Sequence, residues 1–120
     1  MTLLALANSS RAANVDPMPF EQQVAEADLV VLARMSPAAR TGPPRLDATG
    51  FDQLTEMEVL RVLKGDPSIR SVDFVTRDEM AEFNPNCCEP DRTYILLLQR
   101  ASNQNIYAVV NGRHSVIIVH

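Results

Sequence analysis

Hydrophobic and polar positions alternate longest between Phe51 and Gly65, and the other apolar runs of the chain read as partners of that stretch. Thr55, Met57 and Val59 alternate with Glu56 and Glu58, a period of two that turns one face to a core and the other to water. After Val59 the phase slips, so that Leu60, Val62 and Lys64 alternate with Arg61 and Leu63. A β-bulge near Val59–Leu60 absorbs such a slip and bends the strand, as small barrels require. Leu54, Met57, Leu60 and Leu63 are also spaced by three, the pattern of a helix. The Thr and Val content and the stop at Gly65-Asp66-Pro67 favour the strand.

The rest of the chain takes its place around this strand. Residues 8 to 18 are small or polar, and residues 1–18 are expected to be a flexible N-terminal segment before one β-barrel domain, 19–120. Pro19 to Ala27 predicts a short helix, with Pro in the first turn and Phe20, Val24 and Ala27 on one face. Leu29 to Met35 predicts a buried strand, whereas Ser36 to Gly50, with three Pro and two Gly, predicts a long mobile loop. Ser71 to Arg77 is a further strand, with Val72, Phe74 and Thr76 on one face. A helical turn is expected at Asp78–Phe83 and a loop at Asn84–Pro90, followed by a central strand at Thr93–Gln99. Ile106–Val110 pairs back on that strand as a hairpin. Asn111-Gly112 predicts a second, two-residue hairpin leading into His114–Val119. Strand, long strand, strand, short helix, strand and hairpin give a mainly β fold. It is a small OB-fold-like barrel of five or six strands with one or two short helices.

Composition narrows the function classes. Aromatics are scarce and Trp is absent, so the core must be aliphatic. The net charge is −4, and the eleven basic residues, ten Arg and Lys64, are scattered singly. That distribution argues against a nucleic-acid surface. No stretch reaches the roughly 20 apolar residues of a transmembrane helix, so no membrane span is expected. Thr2 to Ala7 resembles the tail of a secretory leader ending in Ala5-x-Ala7, but lacks a basic start, so a leader remnant and an ordinary N-terminus both stay open.

Three stretches carry a likeness: Ala27 to Arg34 behind the first helix, Val59 to Gly65, and Cys88 with Tyr94 to Leu97. Together they resemble the bacterial netrin-like modules, OB-fold domains similar to the inhibitory domain of the tissue inhibitors of metalloproteinases. The resemblance spans roughly residues 20 to 110 and implies a barrel that binds protein. Metalloproteinase inhibition does not carry over. Those inhibitors chelate the target's zinc with an N-terminal Cys, and no Cys precedes Cys87 here.

Cys87-Cys88 is the most unusual pair in the chain and the one thiol site singled out. It lacks the spacing of a redox Cys-x-x-Cys and the ligand number of a zinc site. Free thiols, an intermolecular link and a vicinal bridge all fit. Glu82, Glu89 and Asp91 with His114 would make a soft-metal site only if the 87–91 loop met the 111–114 turn. Asp78, Glu79 and Glu82 lack the alternating oxygens and central Gly of a calcium loop. Tyr94, Tyr107, Phe74 and Phe51 offer a stacking platform for single strands, but sit among aliphatics and read as core. His114 and His120 have no catalytic partner at motif spacing. These observations lead to a non-enzymatic module without cofactor or bound metal. It is expected to be periplasmic or secreted, with the cytoplasm also open, and to recognise a protein partner through loops or a strand edge, with a homo-oligomer through that edge also open. The alternative is a metal- or thiol-dependent role of the Cys87-Cys88 loop.

Overall fold

The computed structural model describes residues 16–43, 45–46, 53–77, 84–85, 87–101 and 106–120. The long strand is extended, as its alternation requires: β3 runs Gln53–Lys64. It pairs antiparallel with β1 (Leu29–Met35) and with β4 (Ser71–Arg77). Against β1 the register skips twice. Leu32 faces Arg61 while Ala33 faces Val59, and Val31 faces Val62 while Val30 faces Lys64. Leu60 and Leu63 are therefore the surplus residues of two irregularities, and both side chains are exposed. The phase slip in the sequence is the trace of that bending. Gly65 ends the strand at φ 111°, where a Cβ would meet Leu29 Cδ1 at 2.8 Å and the Asp28 carbonyl oxygen at 3.0 Å. Only glycine enters that turn without strain.

The ring closes through β5 (Thr93–Arg100) and β6 (Ile106–Val109) in the order β1-β3-β4-β6-β5, with β5 returning to β1. All pairings are antiparallel except β4 with β6, where Asp73 faces Ile106 and Phe74 faces Tyr107 in parallel. This is the small barrel that the sequence predicts. The helical turn expected between β4 and β5 (78–83) lies outside the described residues, as do Phe51, Asp52 and residues 1–15. Inside the ring lie Leu29, Val31, Met57, Phe74, Tyr94, Leu96, Leu98 and Tyr107, all buried. Thr55 and Thr76 share a hydrogen bond of 2.9 Å, so neither buried hydroxyl is left unpaired.

Three expectations are corrected. The first is the loop after Met35, which is partly built. Pro37–Thr41 forms a helical turn (α2 below), and Arg45–Leu46 forms β2, paired with Leu54 and Gln53. The Ser36 hydroxyl accepts the Ala39 N–H at 3.2 Å and Pro37 opens the turn, a capping arrangement the Pro and Gly content had masked. The second concerns the first helix, α1 (Phe20–Glu26), which buries Gln23 and exposes half of Phe20. Val24 and Ala27 do pack, with Val30, Leu97 and Ile117, as a second apolar layer outside the barrel. Gln23 is buried because its amide donates to the Met18 and His114 carbonyls at 3.0 and 3.3 Å and accepts from the Ser115 hydroxyl at 2.8 Å.

The third correction decides the shape of the binding surface. Asn111-Gly112 does not turn a hairpin. β6 and β7 (Val116–Val119) both pair antiparallel with β5 and so run in the same direction along it. Leu98 faces Val109 and Leu96 faces Val116, so two steps along β5 match seven along the partner, leaving five extra residues. That insertion holds a 3-10 turn, Gly112–Ser115. Ser115 folds it in, its hydroxyl accepting the Asn111 N–H at 2.6 Å while donating to Gln23. A strong turn dipeptide thus bulges one strand instead of reversing it.

Candidate functional site

β6 and β7 follow one another along the same side of β5, but only β6 is covered on its far side. There β4 closes the ring for two residue pairs. Beyond them, β7 has no strand partner on its outer edge among the described residues. Its residues are Val116-Ile117-Ile118-Val119, with Ile118 42% and Val119 40% exposed. Ile117 lies opposite Ile95, which lies opposite Leu32 on β1, and all three are partly buried. An uncapped sheet edge therefore continues into an apolar strip on the barrel's outer face. Its backbone N–H and C=O groups are what an added strand would use. Charged, Pro or Lys residues normally blunt such edges, and β7 has none.

The cysteines lie elsewhere, in the segment before β5. Cys87 and Cys88 are joined to each other by a disulfide across a cis peptide bond, and both are half-buried against the core. Of the three states the sequence left open, the vicinal bridge is the one present. The segment is pinned by the Glu89 N–H, which donates to the Tyr94 hydroxyl at 2.7 Å, and by the Cys87 N–H, which donates to the Pro85 carbonyl at 3.0 Å. Beside Cys87 is a cavity of about 290 Å³ lined by Gln53, Thr76, Arg77, Asn84 and Pro85.

The soft-metal set does not assemble from the described residues, since no three His, Cys, Asp or Glu side chains among them converge. Glu89 instead pairs with Arg92 at 3.5 Å, and His114 belongs to the 3-10 turn beside β7. Glu82, with Asp78 and Glu79, lies outside the described residues. Phe74, Tyr94 and Tyr107 are buried core residues and present no stacking face, while Phe51 is not described. Among the described residues no helix is long and apolar enough to cross a membrane.

Sequence reasoning missed one feature. Between α2, β2 and the outer face of β3 lies a cavity of about 320 Å³, built from the stretch read as a loop. Arg45 crosses the face of β3 to Asp73 on β4, making two contacts of 2.7 and 3.1 Å. That pairing holds the Arg45 guanidinium above its ordinary pKa, first through the hydrogen bond and then through the charge of Asp73. The Ser-Pro pair before a small-residue run was the signal that would have found this element.

Compared with models of known protein families, with curated proteins and with solved structures, the chain matches none.

Proposed function

We propose that the chain is a non-enzymatic binding module of the cell envelope that takes one extended segment of a partner protein onto the free edge of β7. The observation that carries this reading is the pairing of β7 on one side only among the described residues, with Ile118 and Val119 exposed on an edge that has no charge or Pro. In such strand addition, main-chain hydrogen bonds supply affinity and the alternate side chains supply selectivity. β7 has four residues and spans about 13 Å. A four-residue edge supplies only a small part of the ~1,200–2,000 Å² that a stable dimer buries. A single extended segment suits it better than a second copy. The closed Cys87–Cys88 disulfide favours an oxidising compartment. The resemblance of three short stretches to netrin-like modules agrees with a protein-binding barrel, without the inhibitors' zinc chemistry.

The test compares immobilised wild type with Ile118→Lys against the same envelope extract, and reads self-association by sedimentation. The reading predicts a partner retained by wild type, lost about tenfold or more in the variant, and a monomeric free chain. Equal retention by both proteins contradicts it.

A thiol-dependent role of Cys87 and Cys88 is the second reading, favoured by their joining beside a cavity of about 290 Å³. Unchanged stability and partner retention in the Cys87→Ser, Cys88→Ser double variant would dispose of it.

A further inference from the structure

The cavity between α2 and β3 is independent of the β7 edge, and its chemistry is specific. Met35, Ala38, Ala39 and Leu54 give it apolar walls, and Arg45 and Glu56 bring charge to its lining. Binding pockets typically combine an apolar wall with a few convergent polar groups in a space of ~300–1,000 Å³, and about 320 Å³ reaches that range.

The two charges are not equally available. Arg45 is engaged twice by Asp73, at 2.7 and 3.1 Å. Glu56 accepts one hydrogen bond at Oε1, 3.0 Å from the Ser36 hydroxyl, a neutral donor. Its Oε2 takes no hydrogen bond from any described residue. Counting Arg45, Asp73 and Glu56 together, the site retains one negative charge, on Glu56. The whole chain is acidic as well, at −4, which raises the local concentration of cations rather than anions. Arg40, the one basic residue of α2, donates to the Met35 carbonyl at 3.3 Å and is not part of the lining.

We infer that this cavity binds an alkylammonium group, its apolar stem against Met35, Ala38, Ala39 and Leu54 and its cationic head on Glu56 Oε2. A free aliphatic amine and a lysine side chain of another protein carry the same chemistry.

The experiment titrates the full chain with hexylamine, hexanol and hexanoate, following backbone amide NMR shifts. Nα-acetyl-lysine amide is a fourth probe. The expected result is saturable binding of hexylamine on the order of 1 mM, with shifts at Ala38, Ala39 and Leu54. Hexanol and hexanoate should bind several-fold more weakly. Glu56→Gln keeps an acceptor for Ser36 and should weaken hexylamine about tenfold while leaving hexanol unchanged. Ala39→Leu should fill the space and abolish binding of all probes. Binding of the lysine amide at least as tightly as hexylamine assigns the site to a protein side chain, whereas a marked preference for hexylamine assigns it to a small amine. Equal affinity for hexanol, tighter binding of hexanoate, or no saturable shift at these residues would overturn the inference. None of these outcomes depends on whether β7 binds a partner.

Discussion

β6 and β7 are two lengths of one interrupted strand, of similar composition, laid along the same side of β5. Their surroundings differ in one respect. β4 covers the far side of β6, and no described strand covers that of β7. The consequence shows in burial: Tyr107 is 4% exposed and Ile118 is 42% exposed. An apolar strand is thus made core or surface by its second neighbour, and the ring's closure stops where the pairing of β4 with β6 ends. The five inserted residues mark that boundary.

The strongest way to break this comparison is to truncate the covered strand. Tyr107→Ala should cost about 3–5 kcal/mol in urea unfolding, since the ring is buried and Arg100 stacks on it at 5.7 Å. A loss as small as that of a surface change would mean that β6 is not part of the core. Next comes the boundary itself. Ser115→Ala removes the hydroxyl shared by Asn111 and Gln23 and leaves buried polar groups unpaired, which costs about 1–3 kcal/mol. Amide exchange should then quicken first in β7 and the 3-10 turn; uniform quickening through β5 would show that the insertion does not isolate β7.

In the exposed strand, Ile118→Ala should lower stability by less than about 1 kcal/mol by the same unfolding assay. Ile118→Lys should leave the melting temperature close to wild type while removing partner retention. A collapse of either variant would place Ile118 in the core beside Tyr107.

The smallest effect lies in the turn after β3, where Asp66 lines a cavity with Tyr107 of β6 but none with β7. The Ser68 N–H and hydroxyl, at 2.9 and 2.7 Å, hold the Asp66 carboxyl below its ordinary pKa. Asp66 therefore favours the folded state above its unfolded pKa, and that contribution is lost as pH falls through the depressed folded value. In Ser68→Ala the NMR titration midpoint of Asp66 should rise towards the ordinary carboxylate value, with no change at β7.

Much of the ring could be read from local pattern. Alternation placed β3, and the slip after Val59 foretold the irregularity at Leu60, because side-chain parity records a surplus residue; the second, at Leu63, was not read from the pattern. Ile106–Val109 and Val116–Val119 were both legible as strands for the same reason. Which one would be covered was not, since that depends on a parallel pairing between residues more than thirty positions apart, Phe74 and Tyr107. Asn111-Gly112 misled because its turn preference is local, while the direction of the chain after it is set by Ser115 and Gln23, about ninety positions apart (|i−j| = 92). Gln23 lies off the Phe20, Val24 and Ala27 face that the spacing picks out, and it is buried because its amide has three partners. At the sites, the sequence exposed the unusual cysteine pair and, in Ser36-Pro37, a start signal for α2, but not the cavity, whose lining is gathered from α2, β2 and β3 and carries no motif.

The most direct measurement is amide hydrogen exchange in the free monomer, residue by residue along β5 and β7. The account predicts slow exchange throughout β5. In β7 the amides directed at β5 should be protected, and those directed away should exchange quickly and slow when partner is added. Slow exchange at all four β7 amides in the free chain would contradict it, because the edge would already be occupied.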